Sequence, residues 1–322
     1  MGNKFFPFAL ALILVLSIFG SGVSAKEKEK DKGSVEKNKN ALGLTVEEFN
    51  NLISLGFTEE EIENMDQKEY ELNKDLKGEV VASTTQYLKI TEPIQSESSS
   101  QEPTIQENSS QEPTIVKLDE QTYYEELAKE NESSGEVSTS ASDSSSTSYK
   151  KMTTSITKLS TNNYRLKNSV TWSKMPFITH VDVTGVGINQ TYWGPTPDTQ
   201  YGKQNWTTWS FCNGTQSGSA TYTSSSGQWK KGAGGYALKI NLPNDETASG
   251  CASDKVETLS SYMYYSVKPL TTTNRLDAYG QYAHQESTYT LTPSIALSGV
   301  SFSVSPTNEF AEHPNTHVLV YK

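Results

Sequence analysis

Four histidines, His180, His284, His313 and His317, are the residues of this chain best suited to proton transfer or metal binding. His313 and His317 stand four apart, with Glu309 and Glu312 upstream. On a helix that spacing would put two imidazoles on one face for a metal. Pro314 lies between them and disfavours such a helix. They are therefore metal candidates by spacing alone and read first as polar loop residues. A serine hydrolase needs a nucleophile, a base and an orienting acid. Gly214-Thr215-Gln216-Ser217-Gly218 misses the spacing of a nucleophile elbow, so no catalytic residue is identified. Paired carboxylates for glycoside cleavage would have to come from a small set that includes Asp182, Asp198, Asp277 and Glu286. Asp182 and Asp277 fall in expected strands, where an inward carboxylate is costly without a partner. No motif implies a cofactor.

Aromatic residues carry more information. Trp193 adjoins Gly194-Pro195-Thr196-Pro197, Trp229 precedes Lys230-Lys231-Gly232, and Trp206 lies in a Thr- and Trp-rich strand. Exposed aromatics among Ser, Thr, Asn and Gln stack on sugar rings while polar neighbours bond the hydroxyls. Trp193, Trp206 and Trp229 are accordingly the expected ligand-binding residues. The competing demand is core packing, which Trp172 and several of Tyr262, Tyr264, Tyr265, Tyr279 and Tyr282 should satisfy.

The elements that must position these residues begin after an export signal. Lys4 precedes an apolar run from Phe5 to Phe19, and Val23-Ser24-Ala25 offers the small residues of a cleavage site after Ala25. The run is shorter than the roughly 20 residues of a spanning helix, so the mature chain is expected to be secreted with no transmembrane segment. Outside the cell, Cys212 and Cys251 are expected to form a disulfide, closing a loop of about forty residues for about 4 kcal/mol.

Charge divides the chain. Residues 150–322 carry 14 Lys/Arg against 10 Asp/Glu, a net of +4, and the residues before them 13 against 28, a net of −15. The absence of a large basic excess speaks against nucleic acid as a partner. Residues 26–40 mix charges with almost no apolar side chains and read as disordered. Residues 41–78 read as a small helical segment. Thr45 with Glu48 and Thr58 with Glu61 fit the capping box, Asp66 with Glu69 offers a third start, and Gly56 ends the first helix. This stretch resembles the short helical modules that follow signal peptides in low-GC Gram-positive bacteria, and Leu55-Gly56-Phe57 resembles the turn of ubiquitin-associated domains. Neither likeness implies an activity. Residues 79–148, with repeated Gln-Glu-Pro-Thr-Ile and a serine-rich tract, read as a disordered low-complexity linker.

Residues 149–322 alternate with period two. Tyr164, Leu166, Val170 and Trp172 share one face, Phe177, Val181 and Val183 another, and Tyr236, Leu238 and Ile240 a third. About ten short strands predict an all-β C-terminal domain, an antiparallel β-sandwich. Tyr164-Arg165-Leu166-Lys167-Asn168 and Trp172-Ser173-Lys174-Met175-Pro176 resemble secreted β-domains of spore-forming bacilli, a likeness that implies the fold and no chemistry. The expected function is a secreted, non-enzymatic binding module for a glycan, cell-wall polymer or other cell-surface ligand. The alternatives are a secreted hydrolase released from an acidic pro-region and, third, a β-pore-forming toxin. For the toxin, Ala220 and Tyr222 give the Ser217–Ser226 stretch too little apolar surface for a lipid-facing hairpin.

Overall fold

Strand β4 (Asn163–Lys174) buries both of its faces. Tyr164, Leu166, Val170 and Trp172 point into an apolar core, as alternation requires, yet Arg165 and Lys167 on the opposite face are buried as well. The arrangement of neighbouring elements accounts for both. In the computed structural model, which describes residues 42–93, 112–133, 145–245, 253–287 and 291–321, β4 lies inside a large antiparallel sheet. It pairs with β3 (Ser145–Ser160) on one side and β11 (Lys255–Pro269) on the other. The sheet extends through β1 (Glu79–Pro93) to β2 (Thr114–Leu118), and through β7 (Tyr201–Ser210) to β8 (Gly214–Tyr222). Short β6 (Trp193–Pro195) pairs with the end of β11.

A second antiparallel sheet runs in the order β15 (Phe310–Glu312), β12 (Arg275–Gln285), β5 (Val181–Ile188), β10 (Gly235–Asn241), β9 (Trp229–Gly232), with β16 (Thr316–Tyr321) also on β12. The two sheets enclose one core that includes Leu166, Met263 and Tyr265 from the first and Val186, Leu238 and Tyr282 from the second. The expected β-sandwich is the observed fold. A hairpin of β13 (Ser294–Ser298) and β14 (Ser301–Ser305) sets Phe302 and Val304 in a smaller cluster with Val183, Ala237 and Ala283. Phe177 does not share the strand of Val181 and Val183; it precedes β5 and is exposed.

The expected linker needs correction. Residues 79–93 form a long strand in register with β3, from Glu79 opposite Lys158 to Pro93 opposite Ser145. Gln86, Leu88, Ile90 and Glu92 are buried along one face. Residues 114–118 add the edge strand β2, and Glu120–Ser133 forms helix α4, anchored by buried Tyr123, whose hydroxyl lies 2.8 Å from Ser173 Oγ. Val, Thr, Tyr and Ile supply the β propensity of β1. The low-complexity segments 94–111 and 134–144 lie outside the described residues, as do the expected signal peptide and charged segment.

The helical segment is as expected in detail. Helices α1 (Val46–Ser54), α2 (Glu59–Glu63) and α3 (Gln67–Asn73) start at Thr45, Thr58 and Asp66, the first two with complete capping boxes. Gly56 follows the first helix at φ +91°, the left-handed conformation that glycine adopts without a Cβ penalty. Too small to be stable alone, the three helices pack as a cap on the outer face of the large sheet, joining Leu52, Leu55, Phe57 and Ile62 to Tyr201, Tyr262 and Tyr264. The cap is what buries the second face of β4.

Candidate functional site

The three expected ligand-binding tryptophans do not form a shared exposed strip. Trp193 is buried, with its indole N–H on the carbonyl of Arg275 at 2.8 Å and its ring edge-on to Tyr164. Trp229 is half-buried and donates to the Thr223 carbonyl at 2.8 Å. Trp206 is half-buried over Gly218, where a Cβ would collide with the indole. The loop-like sequences around Trp193 and Trp229 suggested exposure, whereas the sandwich uses all three rings for packing.

Among the exposed aromatics, which include Tyr124, Phe177, Tyr192 and Tyr321, two stand close together in sequence. Trp209 is 45% exposed and Phe211 82% exposed, on either side of Ser210 where β7 turns into β8. Trp209 lies opposite Thr215 on one side and Lys255 on the other. The turn is held by the Asn213 N–H on Ser210 Oγ at 3.2 Å, the Gln216 side-chain amide on the Asn213 carbonyl at 2.9 Å, and Gly214 at φ +63°. Exposed apolar residues are informative when they cluster, and these two rings share one turn. A rigid hairpin end with two rings among Asn, Gln, Thr and Lys can stack a flat ligand and bond its hydroxyls. Cys212 lies in this turn and is not a free thiol; its expected partner Cys251 lies outside the described residues.

The metal candidates His313 and His317 separate. His317, on β16, stacks on Tyr279 with ring centroids 4.6 Å apart, and its Nε2 lies 2.8 Å from Asp277 Oδ1. Asp277 also pairs with Arg275, which accounts for its place in a strand. His313 is buried, with Nδ1 against Lys150 Nζ and its ring beside Trp172 and Tyr282.

Around His313 the two sheets bury a polar cluster that no local motif announced. His284 Nδ1 lies 2.6 Å from Asp182 Oδ1, and the Tyr282 hydroxyl donates to the other Asp182 oxygen. Glu92, from the end of β1, places Oε1 3.7 Å from His284 Nε2, and its second oxygen accepts from the Phe177 N–H at 3.1 Å. Glu286 follows β12. Burial opposes the His284 imidazolium, but the charge and hydrogen bond of Asp182, with Glu92 and Glu286, outweigh it and lift the group to about 9. Burial raises Glu286 to about 7 and raises Glu92 as well. Burial drives Lys150 and His313 well below their ordinary values, Lys150 adding to the effect on His313. The one available signal was Asp182, an acid in a strand with no local partner. Its carboxylate is bonded to His284 and Tyr282 and so orients His284.

A third charged region lies under the cap. Glu61 pairs with Lys167 and accepts from Ser169 Oγ at 2.9 Å; Asp66 lies 3.2 Å from Lys203 Nζ. Tyr262 donates to both oxygens of Glu69, at 2.8 and 2.7 Å. Arg165 donates to Asn73 Oδ1 at 2.7 Å and lies over the Tyr264 ring. The acidic segment thus docks by acid-on-base pairing.

Among the described residues no helix is long and apolar enough to cross a membrane, which leaves strand-spanning forms untouched. No family model and no curated protein matches the chain. Among solved structures it is similar to a pore forming protein, at TM-score 0.23 and 5% identity over 56% of this chain and 87% of that one. It is also similar to Clostridium perfringens delta-toxin, at TM-score 0.19 and 8% identity over 56% of this chain and 85% of that one. Superpositions this loose relate neither the fold nor the function of this chain to theirs.

Proposed function

We propose that this chain is an exported surface-binding protein that engages a carbohydrate-like ligand through the β7–β8 hairpin end. The observation that carries the reading is the exposure of Trp209 and Phe211 on a turn braced by Asn213 and Gln216. The apolar run at Phe5–Phe19 with Val23-Ser24-Ala25 supports export. In the oxidising exterior Cys212 pairs with Cys251, tying the hairpin end to the segment that precedes β11. The acidic cap occupies the outer face of the same sheet and leaves the hairpin end open.

The test is a pull-down of the mature chain on purified peptidoglycan and insoluble polysaccharides, with anionic liposomes as a separate arm, beside a Trp209→Ala, Phe211→Ala double variant. The reading expects retention on at least one polymer and a loss of tenfold or more in the variant. Retention on liposomes alone would reject the carbohydrate reading in favour of a lipid surface. Equal retention of both proteins would place the binding elsewhere.

A further inference from the structure

The buried cluster at the end of the sandwich has features that packing alone leaves unexplained. One donor atom from each of Glu92, His284 and Glu286 lies within 4.8 Å of the other two. All three, Glu92 Oε1, His284 Nε2 and Glu286 Oε1, are buried without a hydrogen-bond partner. Buried polar atoms are nearly always satisfied, and a set of orphans converging on one point calls for a specific cause.

We infer that Glu92, His284 and Glu286 form a binding site for a divalent transition-metal ion of the zinc type, joining the two sheets. Glu92 comes from β1 of the large sheet, and His284 and Glu286 from the end of β12 in the small one. The 3.7 Å between Glu92 Oε1 and His284 Nε2 is too long for a hydrogen bond. It is close to the roughly 3.4 Å that separates two ligands of one tetrahedral ion with bonds of about 2.0–2.2 Å.

The surroundings prepare these donors. Asp182 Oδ1 holds His284 Nδ1 at 2.6 Å, so a metal ion that displaces the Nε2 proton would leave Nδ1–H on Asp182 and turn the Nε2 lone pair toward Glu92. A carboxylate behind a histidine is the usual outer-shell support of a metal-bound imidazole, fixing its tautomer and raising its basicity. The Phe177 N–H takes the outer oxygen of Glu92 and leaves Oε1 to point inward. Charge points the same way. Three carboxylates, Glu92, Asp182 and Glu286, meet at a site where His284 is the one cation among them, and Lys150 is bonded to His313 and not to any of the carboxylates. One imidazole and two carboxylates suit zinc or manganese, and the histidine favours zinc.

The experiment uses the intact mature chain. After dialysis against a chelator, zinc alone is titrated in by calorimetry, and cobalt serves as an absorbance probe of the coordination. Wild type is expected to take up one zinc per chain, with a rise in melting temperature that chelator reverses. Glu286→Gln, at the half-buried ligand, is expected to fold with an unchanged circular dichroism spectrum and bind zinc at least tenfold more weakly. Asp182→Asn, behind His284, should weaken binding by about 10–100-fold. Exposed Glu312→Gln should leave it unchanged. Failure of wild type to bind zinc, or equal binding by wild type and folded Glu286→Gln, would overturn the assignment.

Discussion

Strands β7 and β11 meet very different surroundings at their two ends. At one end Tyr201, Lys203, Tyr262 and Tyr264 are buried beneath the helical cap. Near the other end Trp209, on β7, stands in water opposite Lys255 at the start of β11. The composition of the two ends is similar, rings interleaved with cations and hydroxyls. The cap makes the difference, because only one end has an acidic partner that satisfies its cations and covers its rings. The contrast separates aromatics that hold the molecule together from aromatics left available to a ligand.

The largest effect is expected at the covered end. Glu61→Ala removes the carboxylate from buried Lys167 and leaves that charge without its counterion. Breaking a buried pair in this way costs about 3–5 kcal/mol. Urea denaturation and limited proteolysis of the cap should both report it, and a loss below about 1 kcal/mol would mean that the cap is not held by its charges.

Next comes pH. Burial, reinforced by Glu61 and Asp66 and opposed by Tyr262 and Lys203, raises Glu69 from 4.5 to about 8. The folded chain therefore keeps a proton that the unfolded chain sheds above about pH 4.5. This contribution to stability is fully present below that pH and is lost as pH rises to about 8, a change of a few kcal/mol. Glu69→Gln should flatten this part of the stability profile. An unchanged slope in the variant would assign the dependence to other groups.

Gly56→Ala should cost about 1–2 kcal/mol from its left-handed backbone. The new Cβ would also stand 3.1 Å from Thr157 Oγ1 and Val80 Cγ2, against the sheet. Thermal melts would show it. The smallest stability effect belongs to the open end, where Trp209→Ala and Phe211→Ala should each change stability by no more than about 0.5 kcal/mol, as surface substitutions do. A larger loss would make those rings structural and erase the contrast between the two ends.

What could be read from the sequence follows how local each feature is. The capping boxes at Thr45 and Thr58 and the glycine stop at Gly56 involve residues a few positions apart, and each stands where the spacing put it. Alternation in β4 and β10 likewise located the core. Strand β1 was hidden because its partner β3 lies across a low-complexity stretch, and its register with that partner has no local signature. The buried cluster draws on residues from Glu92 to His313, so only the fold brings them together. The exposure expected of Trp193, Trp206 and Trp229 could not be read from ring type, because the core between the two sheets draws on the same rings.

The central claim, recognition at the open end, is best tested by acrylamide quenching of tryptophan fluorescence with soluble peptidoglycan fragments. Of the five tryptophans Trp209 alone is exposed, while Trp172 and Trp193 are buried and Trp206 and Trp229 half-buried. The accessible fraction is expected to fall on ligand binding, and in Trp209→Ala to drop to what half-buried Trp206 and Trp229 leave and no longer respond to ligand. Ligand binding with quenching unchanged in wild type would contradict the claim.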